Sequence, residues 1–204
     1  VHRLGRLVAQ GETTPDAVMG RYIDRLASAA DRSVLDGTKL TPGQTSTMRD
    51  DLAKLPPMPR MAEKIDVAER FMALDIAAVG ARKPSSALAL LAGSRHDEKT
   101  ITNSAVDAFG RSITDWDAVL RVTNAWYDRA VQVAQQTPGP RRKKAAQMFV
   151  KELRNPDNLI ANVRSRVPLS ERVASQCVFL VSASLTSSIS ADDGWLTDAH
   201  LTQL

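Results

Sequence analysis

The chain of 204 residues has one cysteine, three histidines and only nine aromatic side chains. A single cysteine, Cys177, excludes an internal disulfide framework and a cysteine-rich metal site. His2, His96 and His200 form no His-x-x-x-His or Glu-x-x-His pair, so they do not predict a metal site. The ten glycines contain neither a Walker loop nor a GxGxxG motif, which argues against a nucleotide enzyme.

Motifs of nucleophilic catalysis are missing as well. No GxSxG or SxxK element marks a catalytic serine. Glu63, Asp66 and Glu69 resemble acid/base pairs, but Asp66 and Arg70 have the i,i+4 spacing of ordinary ion pairs on a helix. We therefore expect no catalytic residue, metal or cofactor, although an enzyme with dispersed acid/base residues or a serine triad assembled through space stays open.

Composition and charge are those of a folded globular protein. The hydrophobic fraction is 43%, the charged fraction 25% and the net charge +4. Between residues 141 and 172 nine Lys or Arg stand against three acids, whereas the chain after residue 172 has three acids and no Lys or Arg. Because aromatic residues are almost absent there, we expect a solvated basic face or contact with an anionic surface, and not nucleic-acid binding.

Helical patterns separated by Pro and Gly run along the chain and predict an all-α fold. We expect one domain over residues 1–204, and we expect it to be a piece of a longer protein because the chain begins at Val1. It would form an irregular multi-helix bundle around a central helix at about 60–81. Other long helices are predicted at about 114–136 and 169–190, and Thr14-Pro15 and Thr41-Pro42 mark two further helix starts. Two short helices separated by a polar loop at 93–100 are predicted between residues 85 and 112.

Three helices have apolar faces that predict their buried sides. The face of the helix after Thr14 comprises Val18, Tyr22, Leu26 and Ala29. The central helix is apolar on two sides, with Met61, Ile65, Met72, Ile76 and Val79 on one and Val67, Phe71, Leu74 and Ala78 on the other. Both sides should be covered, and Glu69 should be a partly buried carboxylate paired with Arg. The basic helix that begins at Arg141 should turn Ala145, Met148, Phe149 and Leu153 inward.

Two sets of side chains are candidates for a functional role. Arg141, Arg142, Lys143 and Lys144 stand in the first turn of a helix, where they oppose the helix dipole, and form a candidate anion-contact patch. Trp116, Trp126 and Tyr127 lie on one long helix. They indicate either core packing or a groove for a peptide, lipid or small ligand.

Two segments, LPPMPRMAEKIDVAERFMALD at 55–75 and WDAVLRVTNAWYDRAV at 116–131, resemble an uncharacterised family of bacterial proteins. The terminal LTDAHLTQL is similar to the residues that precede a further C-terminal segment in that family. This further segment would contain a helix similar to those of pseudopilin-like proteins. The specific motifs cover under half of the chain. The resemblance implies an all-helical, exported protein that is tethered by an N-terminal membrane helix outside this chain, and it supplies no activity.

The positions that carry the resemblance are interpreted as an interior polar and aromatic network joining two long helices. They are Glu69, Arg70, Asp75, Trp116, Trp126, Tyr127, Asp128 and Arg129. The leading hypothesis is a non-enzymatic scaffold or protein-interaction domain of a bacterial cell-envelope protein, with a protein partner. The alternatives are a binding module beside Trp116, Trp126 and Tyr127, and an enzyme.

Overall fold

The computed structural model describes residues 1–82, 115–158, 162 and 164–181. Within these ranges every regular element is helical and no strand occurs, so the predicted all-α fold class is confirmed. The two short helices predicted between 85 and 112, the loop around His96 and the C-terminal part of the helix predicted at 169–190 lie outside the described residues.

The elements follow one another as short and long helices. The N-terminal part contains α1 (His2–Ala9), α2 (Thr14–Gly37), α3 (Pro42–Ala53), α4 (Met61–Lys64), a π-helical segment (Ile65–Glu69) and α5 (Arg70–Arg82). The second part contains α6 (Trp116–Gln135), α7 (Pro140–Leu153), a 3₁₀ turn (Pro156–Asn158) and α8 (Leu169–Val181). The central helix predicted at 60–81 therefore corresponds to α4, the π segment and α5 in succession.

Two helix starts have capping boxes. At α3 the Thr41 hydroxyl accepts from the Gln44 backbone N–H, as the Thr41-Pro42 signal predicts. At α2 the cap is Thr13, one residue before the predicted Thr14: the Asp16 backbone N–H donates to Thr13 Oγ1 at 3.3 Å, and the Thr13 backbone N–H donates to Asp16 Oδ2 at 3.1 Å. The three-residue spacing of a capping box selects Thr13 over Thr14, which is buried in the first turn.

Small residues bring α1 and α2 into close contact. A Cβ atom added to Gly5 would lie 2.8 Å from the Asp24 backbone nitrogen and from the Gly20 carbonyl oxygen. A Cβ atom added to Gly20 would lie 2.5 Å from the Gly5 carbonyl oxygen and from Ala9 Cβ. Glycine at both positions therefore sets the distance between the two helix backbones.

The core consists of two apolar clusters. The larger joins Met61 and Ile65 to buried residues of α6, α7 and α8, including Tyr127, Phe149 and Val178. The smaller lies between α5, α6 and α8, where Ala77, Val119, Val173, Ala174 and Cys177 pack together. In contrast, α3 buries none of its residues.

The central helix differs from its predicted pattern after Ile65. The buried positions are Met61, Ala62, Ile65, Glu69, Ala73, Ala77 and Gly80, and all of them except Ala62 recur almost every four residues. The π segment widens the turn, so Ala73 takes the inward place that a 3.6-residue period assigns to Met72. Met72 is 51% exposed as a result.

The prediction that both sides of this helix are covered is wrong. Val67 is 70% and Phe71 is 73% exposed, so the first half of the second apolar stripe faces outward, whereas Leu74 and Ala78 are half-buried. The apolar face predicted for α2 is exposed in part, with Tyr22 at 58% and Leu26 at 53%, while Val18 packs against the larger core cluster. Periodicity identifies side chains that share a face, but the partner that covers a face is set by tertiary packing.

Candidate functional site

The predicted polar and aromatic network forms two clusters along α6, and Arg70 is the centre of the first. Its Nη2 lies 2.7 Å from Asp66 Oδ1 and 2.8 Å from Asp128 Oδ1. Its Nη1 donates to Asn124 Oδ1 at 3.1 Å. The guanidinium therefore links its own helical turn to two successive turns of α6.

Glu69 and Tyr127 lie deeper, on the same two helices. Glu69 is 3% exposed and Tyr127 is 0% exposed, so the expectation of a buried carboxylate at Glu69 is confirmed. Both side chains take part in interactions within the fold. The carboxylate of Asp128, in contrast, is at the surface and is occupied by Arg70.

The second cluster connects α6 to α7 through Arg129. This guanidinium lies 4.7 Å from the centre of the Trp126 ring and forms an ion pair with Glu152. Trp126 in turn packs edge-on against Phe149, with ring centres 5.5 Å apart. Half-exposed Arg129 thus covers an aromatic pair, which favours packing of the two helices.

Two predicted members of the network stand apart from both clusters. Trp116 packs beside Val119 and Cys177 in the smaller core cluster, and Asp75 is exposed on α5. The three aromatic side chains proposed to line a ligand groove thus lie in two different packing environments, and Tyr127 has no exposed surface.

A cavity of about 760 Å³ does occur nearby, at the C-terminal end of α7. Val150, Lys151, Glu152, Arg154 and Pro156 are among its lining residues. None of Trp116, Trp126 and Tyr127 is among them. A ligand in this cavity would contact side chains at the end of α7 and not the predicted aromatic wall.

Three of the four residues of the predicted anion-contact patch are exposed. Arg141, Lys143 and Lys144 are exposed, but Arg142 is only 3% exposed and its Nη1 donates to the Ala134 carbonyl oxygen at 3.3 Å. Arg142 lies on the side of α7 that packs against the core, and its hydrogen bond to Ala134 joins α7 to the end of α6. Its inclusion in an exposed patch is therefore wrong.

A polar cluster between α1 and α2 is absent from the sequence-based predictions. Asp24 is 2% exposed, and its Oδ1 lies 2.8 Å from His2 Nδ1 and 3.3 Å from Arg6 Nε. His2 Nε2 lies 2.8 Å from Asp31 Oδ2. The sequence contains a signal for this cluster. His2 and Arg6 are four residues apart and therefore share one face of α1, and Asp24 and Asp31 are seven residues apart and therefore share one face of α2.

The chemistry of this cluster is that of a structural contact. Both ring nitrogens of His2 lie within hydrogen-bond distance of carboxylates that belong to α2. Arg6 also donates to the Pro56 carbonyl oxygen at 2.8 Å. The cluster thus fixes α1, α2 and the segment before α4 relative to one another.

The polar side chains under α2 contrast with what its outer side presents. The buried residues of α2 are Thr14, Ala17, Gly20, Arg21, Asp24 and Ala27. The seven large apolar residues of the helix are all exposed or half-buried: Val18, Met19, Tyr22, Ile23, Leu26, Val34 and Leu35. This helix buries Arg21 and Asp24 and exposes five of its seven large apolar residues, whereas Val18 packs against the larger core cluster.

Four of the outward residues form a continuous row, here named the α2 stripe: Met19, Tyr22, Leu26 and Ala29. Their spacings of three, four and three residues follow the heptad pattern of a helix-pairing seam. Met19 is 55%, Tyr22 58% and Leu26 53% exposed. An exposed apolar row of this kind is typical of an interaction surface.

Within the described residues no group of three or more His, Cys, Asp or Glu side chains is placed to hold a metal ion. In the same part of the chain, no helix combines the length and the apolar composition needed to cross a bilayer. Cys177 is 1% exposed, and burial raises the pKa of its thiol to about 12.

The resemblance to an uncharacterised bacterial family stays an expectation, since it rests on the residue patterns at 55–75 and 116–131 alone. Comparison with protein-family models, with curated proteins and with solved structures finds no match to this chain.

Proposed function

We propose that this chain is a non-enzymatic helical scaffold domain that associates with a second copy of itself through the α2 stripe. The observation that carries the proposal is the unusual polarity of α2, which exposes five of its seven large apolar residues while Arg21 and Asp24 are buried. A place in the bacterial cell envelope is part of the proposal and rests on the family resemblance.

The spacing of the stripe supports a helix as the occupant. Met19, Tyr22, Leu26 and Ala29 occupy alternating a and d positions, so side chains of a second helix would pack between them. The stripe contains no charged residue, and pairing would therefore bury no ion.

The order of side chains supports a second copy of this helix. In an antiparallel pair centred next to Tyr22, Met19 of each copy would lie opposite Leu26 of the other. The two residues have similar volumes, so the same surface can serve both partners of a two-fold contact.

The association should be weak. α2 has 24 residues and is about 36 Å long, and only its central turns carry the exposed apolar row. Such a contact is at the small end of specific interfaces, for which dissociation constants in the micromolar range, roughly 1 to 100 μM, are expected.

Sedimentation equilibrium of the purified chain at several concentrations tests the proposal. We expect a monomer–dimer equilibrium that the double substitution Tyr22→Ser and Leu26→Ser weakens by about tenfold or more. The matched control is Val67→Ser with Phe71→Ser, which removes two exposed apolar side chains from the central helix instead. Circular dichroism verifies that both variants keep their helices.

Each other outcome overturns the proposal. A chain that stays monomeric at the highest attainable concentration has no self-association to explain. A dimer that loses affinity only in the Val67 and Phe71 variant uses the central helix. A monomer whose α2 stripe crosslinks to a different protein would be an interaction domain for that partner and not a self-assembling scaffold.

A further inference from the structure

Five exposed cations follow the outward side of α7 from its first turn to its C-cap. They are Arg141, Lys143, Lys144, Lys151 and Arg154, here named the basic ridge. With about 100° and 1.5 Å per residue, they fall within an arc of roughly 160° over a length of roughly 20 Å. The sequence patch at 141–144 is thus one end of a longer surface.

The rest of α7 determines how this surface is presented. Ala146, Phe149, Val150 and Leu153 are buried in the main core cluster, which holds the opposite side of the helix in place. The one acid of the exposed side, Glu152, lies at the edge of the arc and pairs with Arg129 of α6. The backbone of α7 therefore places the cations on one side of the helix with little negative charge among them, and the Arg154 guanidinium lies 5.3 Å from the centre of the Phe179 ring.

Met148 adds an apolar side chain near the edge of this arc. It is 54% exposed and lies between Lys144 and Lys151 along the helix, although its place in the apolar pattern predicts an inward position. A flexible thioether surrounded by ammonium groups matches the composition of helices that lie in a lipid headgroup region.

We propose that the basic ridge binds the surface of an anionic lipid bilayer, with α7 parallel to the membrane plane and Met148 directed into the headgroup layer. This contact is peripheral and uses a different helix from the α2 stripe, so it is independent of the proposed self-association. The cations of the first turn oppose the dipole of α7, and anionic headgroups would offset that local cost.

The composition of the ridge favours lipid over nucleic acid. No aromatic side chain is exposed on α7, so the helix has none on which bases could stack. Three of the five cations are lysines, which act as point charges toward many anion geometries. A lipid surface requires charge density and a flat line of contact, and the ridge supplies both.

Cosedimentation with vesicles of equimolar phosphatidylglycerol and phosphatidylcholine tests the proposal. The unmodified chain should bind these vesicles, bind pure phosphatidylcholine at least about tenfold more weakly, and lose affinity as salt is added. The triple substitution Arg141→Glu, Lys143→Glu and Lys144→Glu should weaken binding by about a hundredfold or more, since each cation contributes roughly fivefold.

A loss of fold does not explain such a result, because acids in the first turn of a helix favour its dipole. The matched control is Lys39→Glu, Arg49→Glu and Lys54→Glu, which makes the same charge change at exposed positions before, in and directly after α3. This control should weaken binding by less than about threefold.

A separate variant tests whether the ridge extends beyond the first turn. Lys151→Glu should weaken binding by roughly fivefold on its own. An unchanged affinity of this variant would overturn the proposal that the whole basic ridge contacts the bilayer, even if the triple variant fails to bind.

Three further results would also overturn the proposal. Equal binding to neutral and anionic vesicles would remove the role of charge. Equal losses in the triple variant and its α3 control would attribute binding to net charge alone. Tighter binding to duplex DNA or to polyglutamate than to the vesicles, at the same salt concentration, would assign the ridge to nucleic acid or to an acidic protein.

Discussion

Nη2 of Arg70 lies 2.8 Å from Oδ1 of Asp128, and this contact joins the central helix to α6. The same nitrogen is 2.7 Å from Asp66 on its own helix. One guanidinium therefore holds carboxylates of two helices together at the protein surface. The two partners differ in exposure, since the side chain of Arg70 is 20% exposed and that of Asp128 is 61% exposed.

This difference predicts unequal effects of removing each partner. Arg70→Ala should lower the free energy of unfolding by about 1 to 2 kcal/mol, because it leaves two carboxylates and the Asn124 amide without their shared donor. Asp128→Ala should cost about 0.5 kcal/mol or less, because water screens an exposed ion pair. Urea unfolding measures both, with exposed Asp75→Ala as the control for removal of an acid. Equal losses for Arg70 and Asp128 would contradict this account.

The contact between α1 and α2 predicts that Gly20 does not accept a larger side chain. In Gly20→Ala the added methyl group would meet the Gly5 carbonyl and Ala9, so α1 must move and stability should fall by about 2 kcal/mol or more. Gly43→Ala is the control, since no atom lies within 4 Å of its added methyl group. Its stability should rise by a few tenths to about 1 kcal/mol through helix propensity. Thermal unfolding that ranks the two variants in the opposite order would refute the close approach.

Burial of Cys177 predicts a thiol that reacts only when the chain opens. The pKa of the thiol rises from 9.0 to about 12 because burial disfavours the thiolate. Iodoacetamide should therefore alkylate the native chain far more slowly than the urea-unfolded chain at the same pH, as measured by mass spectrometry. Equal rates would place the thiol at the surface.

The same shift determines a pH dependence of stability. Since the pKa is higher in the folded chain, the thiol's contribution to the free energy of unfolding is complete below pH 9.0 and is lost as the pH rises toward about 12. Between pH 9.0 and about 12 the unmodified chain should lose more unfolding free energy than Cys177→Ala, which has no thiol to ionise. A difference that is constant with pH would contradict the assignment.

The capping box of α2 predicts a second pH dependence, at acidic pH. Hydrogen bonds from the side chain and backbone of Thr13 lower the pKa of Asp16 from 3.8. A lowered pKa in the folded chain means that the stabilisation is present above 3.8 and is lost as the pH falls through the folded value. Asp16→Asn should therefore be less stable than the unmodified chain at neutral pH, and the difference should shrink in acid. Unfolding curves at both pH values provide the measurement.

Much of the helix order could be predicted because its signals are local. Thr41-Pro42 places the start of α3, and the turn at 137–140 separates α6 from α7. The buried side of α6 also follows from its pattern, since Val119, Thr123, Tyr127, Ala130 and Ala134 recur at helical spacing. Caps, prolines and periodicity depend on a few neighbouring residues, so they are visible without the fold.

The composition of the candidate surfaces could be predicted only in part. Arg141, Lys143 and Lys144 are exposed as expected, but Arg142 is turned inward to the Ala134 carbonyl. Arg142 lies seven residues before Phe149, so it shares the face that Phe149 and Leu153 direct toward the core, and this helical spacing is the signal that identifies it. The pairing of His2 with Asp24 was missed because it joins residues of different helices.

The sequence by itself determined the helical character of the chain, several helix ends and the rows of side chains that share a helix face, since these follow from backbone sterics, caps and a fixed period. Tertiary structure decided which row is covered. The glycines at 5 and 20 let α1 approach the polar side of α2, so Asp24 became buried and Tyr22 was left toward solvent. The π segment likewise turned Ala73 inward and Met72 outward, because packing selects among faces that local propensity leaves equivalent.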